Sequence, residues 1–245
     1  MVTKNQIKLI KSLSRKKNRD QNKLFVVEGT KSISEFLKAG FKPRLLFATH
    51  HNEAWPEHIV TDERELRKIS FQKNPSGSLA VFEIPETLAF EQKELTLVLD
   101  GIQDPGNLGT IIRLCVWFGI EFLVCSRDTA DCFNPKVVQS SMGSLARVQV
   151  VYTDLKYFLK EQQAVSYGAL LEGENVYQTG LSEKAVLVMG NEGKGISPEI
   201  AEIMDKKIHI PQFGVDQETE SLNVGTATAI LLSEFRRGRF TGKQN

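Results

Sequence analysis

The sequence predicts an α/β protein built in two parts, a small α/β/α unit over residues 1–90 and a mostly parallel sheet with its helices over residues 94–245. Three observations predict it. From residue 95 onward, apolar strand-like runs alternate with stretches of helical periodicity, the pattern of a parallel sheet covered on both faces. Three glycine-containing segments stand at the carboxyl ends of predicted strands in that region, where open α/β sheets place their ligands. Before residue 24 the charge is one-sided: Lys4, Lys8, Lys11, Arg15, Lys16, Lys17, Arg19 and Lys23 stand against Asp20 alone, although the formal net charge of the chain is only +1.

The cations set the first element. Lys4, Lys8, Lys11 and Arg15 recur at i, i+4, i+7 and i+11, which at about 100° per residue puts all four on one stripe of a helix. Leu9, Ile10 and Leu13 fall on the other side. The expectation is an amphipathic helix that packs by its apolar face and turns its cations, with Lys16 and Arg19 beyond them, toward an RNA backbone. A plain solvated helix is the alternative, and the lack of interleaved acids on the stripe argues against it. A strand at 23–27, a turn at Glu28-Gly29 and a helix at 30–37, capped by Thr30 and closed at Gly40, follow. A strand at 44–47, a charged helix near 62–69 and a strand at 78–82 complete the unit, and 84–93 reads as a linker. Beyond it the predicted strands are 95–99, 121–125, 147–151, 165–170, 185–189 and 207–210. Helices are predicted near 107–118, 135–141, 154–161 and 198–204, with a long last helix over 223–237.

Composition excludes several classes. At 41% apolar and 25% charged residues the chain is ordinary for a globular protein. No run approaches the roughly 18 apolar residues of a membrane span, and the polar, basic start is unlike a secretory signal, so a soluble cytoplasmic protein is expected. Cys115, Cys125 and Cys132 are odd in number and unlike zinc-site spacings, and read as reduced thiols. His50, His51 and His58 could hold a metal, but their stretch reads as a loop without a helical or strand scaffold.

The glycine segments are D-P-G-N-L-G-x-x-x-R at 104–113, G-N-E-G-x-G at 190–195, and I-P at 210–211 followed by S-L-N-V at 221–224. None fits a dinucleotide fingerprint or a phosphate loop. They supply main chain that can approach a flat ligand, with Asn107, Glu192, Ser221 and Asn223 as hydrogen-bonding groups.

In this order across residues 95–237, the segments resemble the three motifs of the SpoU or TrmH-like class of SPOUT RNA 2′-O-ribose methyltransferases. Residues 5–33, with their basic helix and F-V-V-E-G turn, are similar to the substrate-binding domain of members that modify ribosomal RNA. The resemblance implies a trefoil knot in the carboxyl-terminal sheet, S-adenosylmethionine as cofactor, no metal, and a homodimer in which each active site borrows from its neighbour. It implies that Gly190, Ile210 and Leu222 present main-chain groups to the cofactor with Asn191 and Ser221 nearby, and that Asn107, Arg113, Glu192, Ser221 and Asn223 form the catalytic site. The sequence departs from the family at Leu114, Val116 and Trp117, where smaller or polar residues are general, and at Gln139, where the position is often basic.

Methyl transfer to a ribose hydroxyl demands positioning and loss of a proton. The family's arginine is credited with the role of base, yet an arginine is effectively always protonated. Arg113 is therefore read as a clamp on the target phosphate, with Glu192 assisting proton loss. Three other readings stand beside this one: a noncatalytic RNA-binding ribosome-assembly factor, transfer to a base nitrogen, and a transfer-RNA substrate in place of large-subunit ribosomal RNA. The joint presence of Asn107, Arg113, Glu192, Ser221 and Asn223 argues against the first, and the serine and asparagine of the third motif argue against the second.

Overall fold

The computed structural model describes residues 1–86, 89–91, 93–214 and 221–237, so the expected linker at 84–93 lies partly outside the described residues. The chain divides into two units, Met1–Glu86 with Asp131–Arg147 and Thr87–Ala130 with Val148–Asn245. The short segment 131–147 groups with the amino-terminal unit although it lies inside the region where strands and helices alternate.

The amino-terminal unit holds helices α1 (Lys4–Ser12), α2 (Lys16–Asn22), α3 (Thr30–Lys38) and α4 (Glu63–Ile69) and strands β1 (Leu24–Glu28), β2 (Pro43–Ala48), β3 (Ile59–Val60) and β4 (Ser78–Glu83). The strands form one sheet in the order β1-β4-β2-β3. Because successive side chains of a strand point to opposite faces, β1 serves two cores at once. Leu24 and Val26 pack with Ile10, Leu13, Leu66 and Ile69, whereas Phe25 stacks among Phe36, Phe82 and Phe133, the last at 4.6 Å between ring centroids. The expected cap of α3 moves by one residue: Gly29, with φ of 96°, is the N-cap, and the Thr30 hydroxyl pairs with that of Ser78 instead.

The basic stripe is not one helix. α1 stops at Ser12, and Arg15 is the N-cap of α2. The break is held from inside, because the carbonyls of Leu13 and Ser14 at the corner accept from the Arg19 guanidinium at 2.8 and 2.9 Å. Arg19 is 2% exposed and also binds the Asp131 carboxylate through Nε and a terminal nitrogen, so its expected RNA contact is overturned. A buried guanidinium needs every donor satisfied, and this one closes a corner of the fold. Lys11 is also engaged: its ammonium donates to the Ser70 carbonyl at 2.6 Å and lies 5.2 Å from the centre of the Phe71 ring. Lys16 forms a surface pair with Asp20, and Lys4, Lys8 and Arg15 stay exposed with no ion pair to a described residue.

In the segment 131–147 lies α6 (Pro135–Ser140), capped by Asn134. The carboxyl-terminal unit holds α5 (Pro105–Phe118), α7 (Leu155–Lys160), α8 (Pro198–Ala201) and α9 (Val224–Arg237). Its strands are β5 (Leu95–Asp100), β6 (Phe122–Ser126), β7 (Gln149–Thr153), β8 (Val165–Asn175), β9 (Ala185–Gly190) and β10 (Lys206–His209). All six pair in parallel in the order β10-β8-β9-β5-β6-β7. The central strands β5 and β9 are apolar and buried almost throughout, as a sheet covered on both faces requires. The strand order reverses between β5 and β9, which opens a crevice at their carboxyl ends. No helix among the described residues is long and apolar enough to cross a membrane.

Candidate active site

Both helices that begin at this crevice have their first turns fixed by short side chains. α5 starts on Asp104, whose carboxylate accepts from the Asn107 backbone N–H at 2.8 Å, with Pro105 in the first helical position. Asn107 itself, read from sequence as a functional residue or a cap, sits in the first turn with its side chain free for other work. α9 starts on Asn223, whose Oδ1 accepts from the N–H groups of Gly225 and Thr226 at 3.0 and 3.3 Å.

Those two backbone donors decide the orientation of a chain of side chains. With Oδ1 of Asn223 taken as an acceptor, its Nδ2 must point outward, and it donates to Asn107 Oδ1 at 3.0 Å. That in turn leaves Asn107 Nδ2 to donate to Glu192 Oε1 at 2.7 Å. The amide directions thus run from a helix terminus to an exposed carboxylate, which keeps its second oxygen for another partner.

Glu192 is presented by a tight loop after β9. Asn191 and Gly195 exchange both main-chain hydrogen bonds at 2.9 Å, and Asn191 Oδ1 accepts from the N–H groups of Gly193 and Lys194. Asn191 Nδ2 donates to the Gly101 carbonyl at 2.7 Å, while Asp100 accepts from the Ser197 N–H at 2.7 Å. The loop is thereby bolted at both ends to the terminus of β5. The Asn191 side chain thus holds the loop in shape between β9 and the end of β5. Gly190 is required for a steric reason: a Cβ there would stand 2.2 Å from the carbonyl carbon of Gly195. Asp100 and Asp104 went unremarked in the sequence, though an Asp at a strand end before glycine and an Asp directly before proline are the signals for such bonds.

Against this geometry, comparison with known proteins is specific. The SpoU rRNA Methylase family matches residues 94–233, and the MRM3-like substrate binding domain matches residues 4–80. The chain belongs to the SpoU rRNA Methylase family. It is 34% identical over 95% of its length, and 97% of the relative's, to the 23S rRNA (guanosine(2553)-2′-O)-methyltransferase RlmP of Bacillus subtilis. An AdoMet-bound rRNA methyltransferase from Sinorhizobium meliloti superposes with a TM-score of 0.86 at 28% identity over 97% of this chain and 96% of that one. A TrmH-family protein of Porphyromonas gingivalis reaches a TM-score of 0.88 at 41% identity, covering 97% and 99% of the two chains.

Within this SpoU unit the remaining site residues fall into two groups. Ile210, Ser221 and Leu222 lie in stretches without helix or strand, Ile210 half-buried and Ser221 and Leu222 exposed. Arg113 stands apart. Six residues beyond Asn107, it is turned about 240° around the helix axis. It is exposed and bonds to none of the described residues, so the structure does not bring it to the Asn223, Asn107 and Glu192 chain. It shares its face of α5 with Trp117, which is 84% exposed.

The histidine loop belongs to the other unit. His51 and His58 stack at 4.9 Å, and His58 Nε2 accepts from the Asn52 N–H at 3.2 Å, a loop held by its own contacts. Among the described residues no three His, Cys, Asp or Glu side chains are gathered as a metal would require.

Proposed function

We infer that the protein methylates a ribose 2′-hydroxyl of large-subunit ribosomal RNA, in the cytoplasm, and that the oriented chain from Asn223 through Asn107 to Glu192 is its catalytic center. The protein is an S-adenosylmethionine-dependent RNA 2′-O-ribose methyltransferase. The observation that carries the site is the free oxygen of Glu192, held at the switch point of the sheet by a hydrogen bond whose direction a helix terminus dictates.

When bound, S-adenosylmethionine supplies a methyl group on a positively charged sulfur. This chain's residues do the rest. The main-chain groups of Gly190, Ile210 and Leu222, with Ser221 beside them, hold the adenosine moiety. Asn107 fixes one Glu192 oxygen, and the other accepts the hydrogen bond of the ribose hydroxyl and takes its proton as the new O–C bond forms and the C–S bond breaks. Arg113 acts on the phosphate next to the target ribose, and because it faces away from its own site, it serves the site of a second copy. A homodimer through the face of Arg113 and Trp117 follows, and its formation covers an exposed tryptophan. Residues 94–245, apart from the segment 131–147 that groups with the amino-terminal unit, are the methyltransferase domain, and the fold similarity to SpoU relatives supports a trefoil knot there. Residues 1–90, joined by 131–147, bind the RNA, with Lys4, Lys8 and Arg15 as phosphate contacts.

The test is transfer of labelled methyl from S-adenosylmethionine to ribosomal RNA and to transfer RNA from cells lacking the protein. Alkali-resistant label in ribosomal RNA is the expected result. Label in transfer RNA alone would move the substrate, and alkali-labile label would move the methyl from the ribose to a base.

A further inference from the structure

We propose that a cleft in the amino-terminal unit receives one unstacked nucleobase of the RNA substrate. The cleft measures about 360 Å³ and lies between the α1–α2 corner, the end of β1, the loop before β4 and the start of α6. Its volume is at the lower end of the roughly 300–1,000 Å³ in which proteins hold flat small ligands. The proposal rests on the reading of the chain as an RNA methyltransferase and deepens it by naming where the RNA is gripped.

Three features of the lining select a base. Val26, Phe71 and Pro135 give it apolar walls, one of them an aromatic ring. Gln72 and Gln139 add side-chain amides that bond to none of the described residues, and each can pair with a base edge through a donor and an acceptor together. Asn134 adds a donor, because its Oδ1 is already taken by the Lys136 N–H at 2.9 Å. The acid in the lining has both oxygens engaged within the protein. Glu28 accepts from the Phe71 N–H at 2.7 Å through one oxygen and from the Ser70 hydroxyl through the other.

Those same bonds make the aromatic wall a built one. Glu28 holds the Phe71 N–H and the Ser70 hydroxyl from β1, and Lys11 clamps the Ser70 carbonyl from α1 while lying over the Phe71 ring. A loop tied from two elements keeps its ring in place before any ligand arrives. The rim then supplies the charge. Lys136 lines the cleft itself, and the exposed cations Arg15 and Lys73 directly follow the lining residues Ser14 and Gln72 in sequence. An apolar slot with amide edges and cations close by in the chain matches a base inside and its flanking phosphates outside. Gln139, where the family position is often basic, contributes a base-reading amide rather than another phosphate contact.

The test uses the full chain and ribosomal RNA substituted with 4-thiouridine or 6-thioguanosine, irradiated and mapped by mass spectrometry. Crosslinks within residues 70–73 or 134–139 are expected. In steady-state methylation, Phe71→Leu and the double variant Gln72→Ala, Gln139→Ala should each raise KM for RNA about tenfold, the factor that roughly 1.4 kcal/mol gives. Turnover at saturating RNA and affinity for S-adenosylmethionine should stay within about twofold. The double variant alters only surface amides and keeps the test standing if Phe71→Leu melts early. Crosslinks elsewhere with unchanged KM would overturn the cleft while leaving the methyltransferase intact. A wild-type protein that crosslinks in the cleft but transfers no methyl would sink the proposed reaction and leave the cleft standing.

Discussion

Two polar networks in this molecule contain similar groups and end differently. In the amino-terminal unit, Arg19 bonds two carbonyls and a carboxylate, and with 2% exposure its network is closed to solvent. In the carboxyl-terminal unit, the chain from Asn223 to Asn107 to Glu192 begins on a helix terminus and ends on an exposed carboxylate with an oxygen to spare. A closed network returns all of its hydrogen-bonding capacity to the fold. An open one delivers a single oriented group to the outside, which is the demand of a reaction and not of stability.

The sharpest way to break this comparison is Glu192→Gln. The amide can still accept from Asn107, so only the charge and the basicity are removed. Turnover should fall about 100-fold, within the range that a positioned general base contributes, while the urea midpoint stays put. A variant that kept normal turnover would reduce the open network to a structural one. The converse variant is Arg19→Ala. It leaves the half-buried Asp131 carboxylate and the carbonyls of Leu13 and Ser14 without their donor and should cost about 3 kcal/mol in denaturant unfolding. The affinity of protein that is still folded for RNA should change little. Loss of RNA affinity without loss of stability would restore Arg19 to the phosphate surface from which its burial removes it.

Asn223→Asp sharpens the comparison at one atom. The new carboxylate still accepts from the N–H groups of Gly225 and Thr226, so the start of α9 is kept and stability should shift by less than about 0.5 kcal/mol. It can no longer donate to Asn107. The Asn107 amide then turns its Nδ2 toward the new acceptor, and Glu192 loses its donor. Turnover should drop about tenfold, comparable with the loss of one hydrogen bond to a charged group. Equal turnover would mean that the direction of the chain carries nothing.

How far the sequence could be read follows the same division between local and distant causes. The parallel sheet was legible because β9 is an unbroken apolar run and β5 nearly one, with Thr96 its one polar residue before Asp100, and both end at glycine segments. Glu192, Asn107 and Asn223 were legible as residues of three motifs, but the order of their hydrogen bonds was not, since it depends on partners 85 and 116 residues apart. Arg19 was misjudged for the same reason. Its partner Asp131 is 112 residues away, and charge pattern along a helix cannot distinguish a cation held by a remote carboxylate from one left in water. Segment 131–147 escaped likewise, because Phe133 looks like any strand-adjacent apolar residue until it meets Phe25. The cap of α5 was within reach: Pro105 fits only the first helical position, which makes Asp104 and not Asn107 the cap.

A second closed network, smaller and at the surface, sets the lower limit of the comparison. Asp205 accepts from the Ser166 N–H at 2.8 Å and from its hydroxyl at 2.7 Å, and the Asp205 N–H returns a bond to the same hydroxyl at 2.9 Å, tying β10 to β8. The two Ser166 donors hold the Asp205 carboxyl below its ordinary range, against a weaker opposing effect of burial. A carboxyl lowered in the folded state stabilises fully above its unfolded pKa of about 4, and the stabilisation disappears as pH falls through the lower folded value. Wild type should therefore unfold above Asp205→Asn at pH 6, by no more than about 2 °C for an exposed group in a chain of this size. The two midpoints should converge as pH drops below about 4. A gap that widened with acid would mean that the carboxyl is raised, and that the ring of bonds with Ser166 holds a neutral acid instead of an anion.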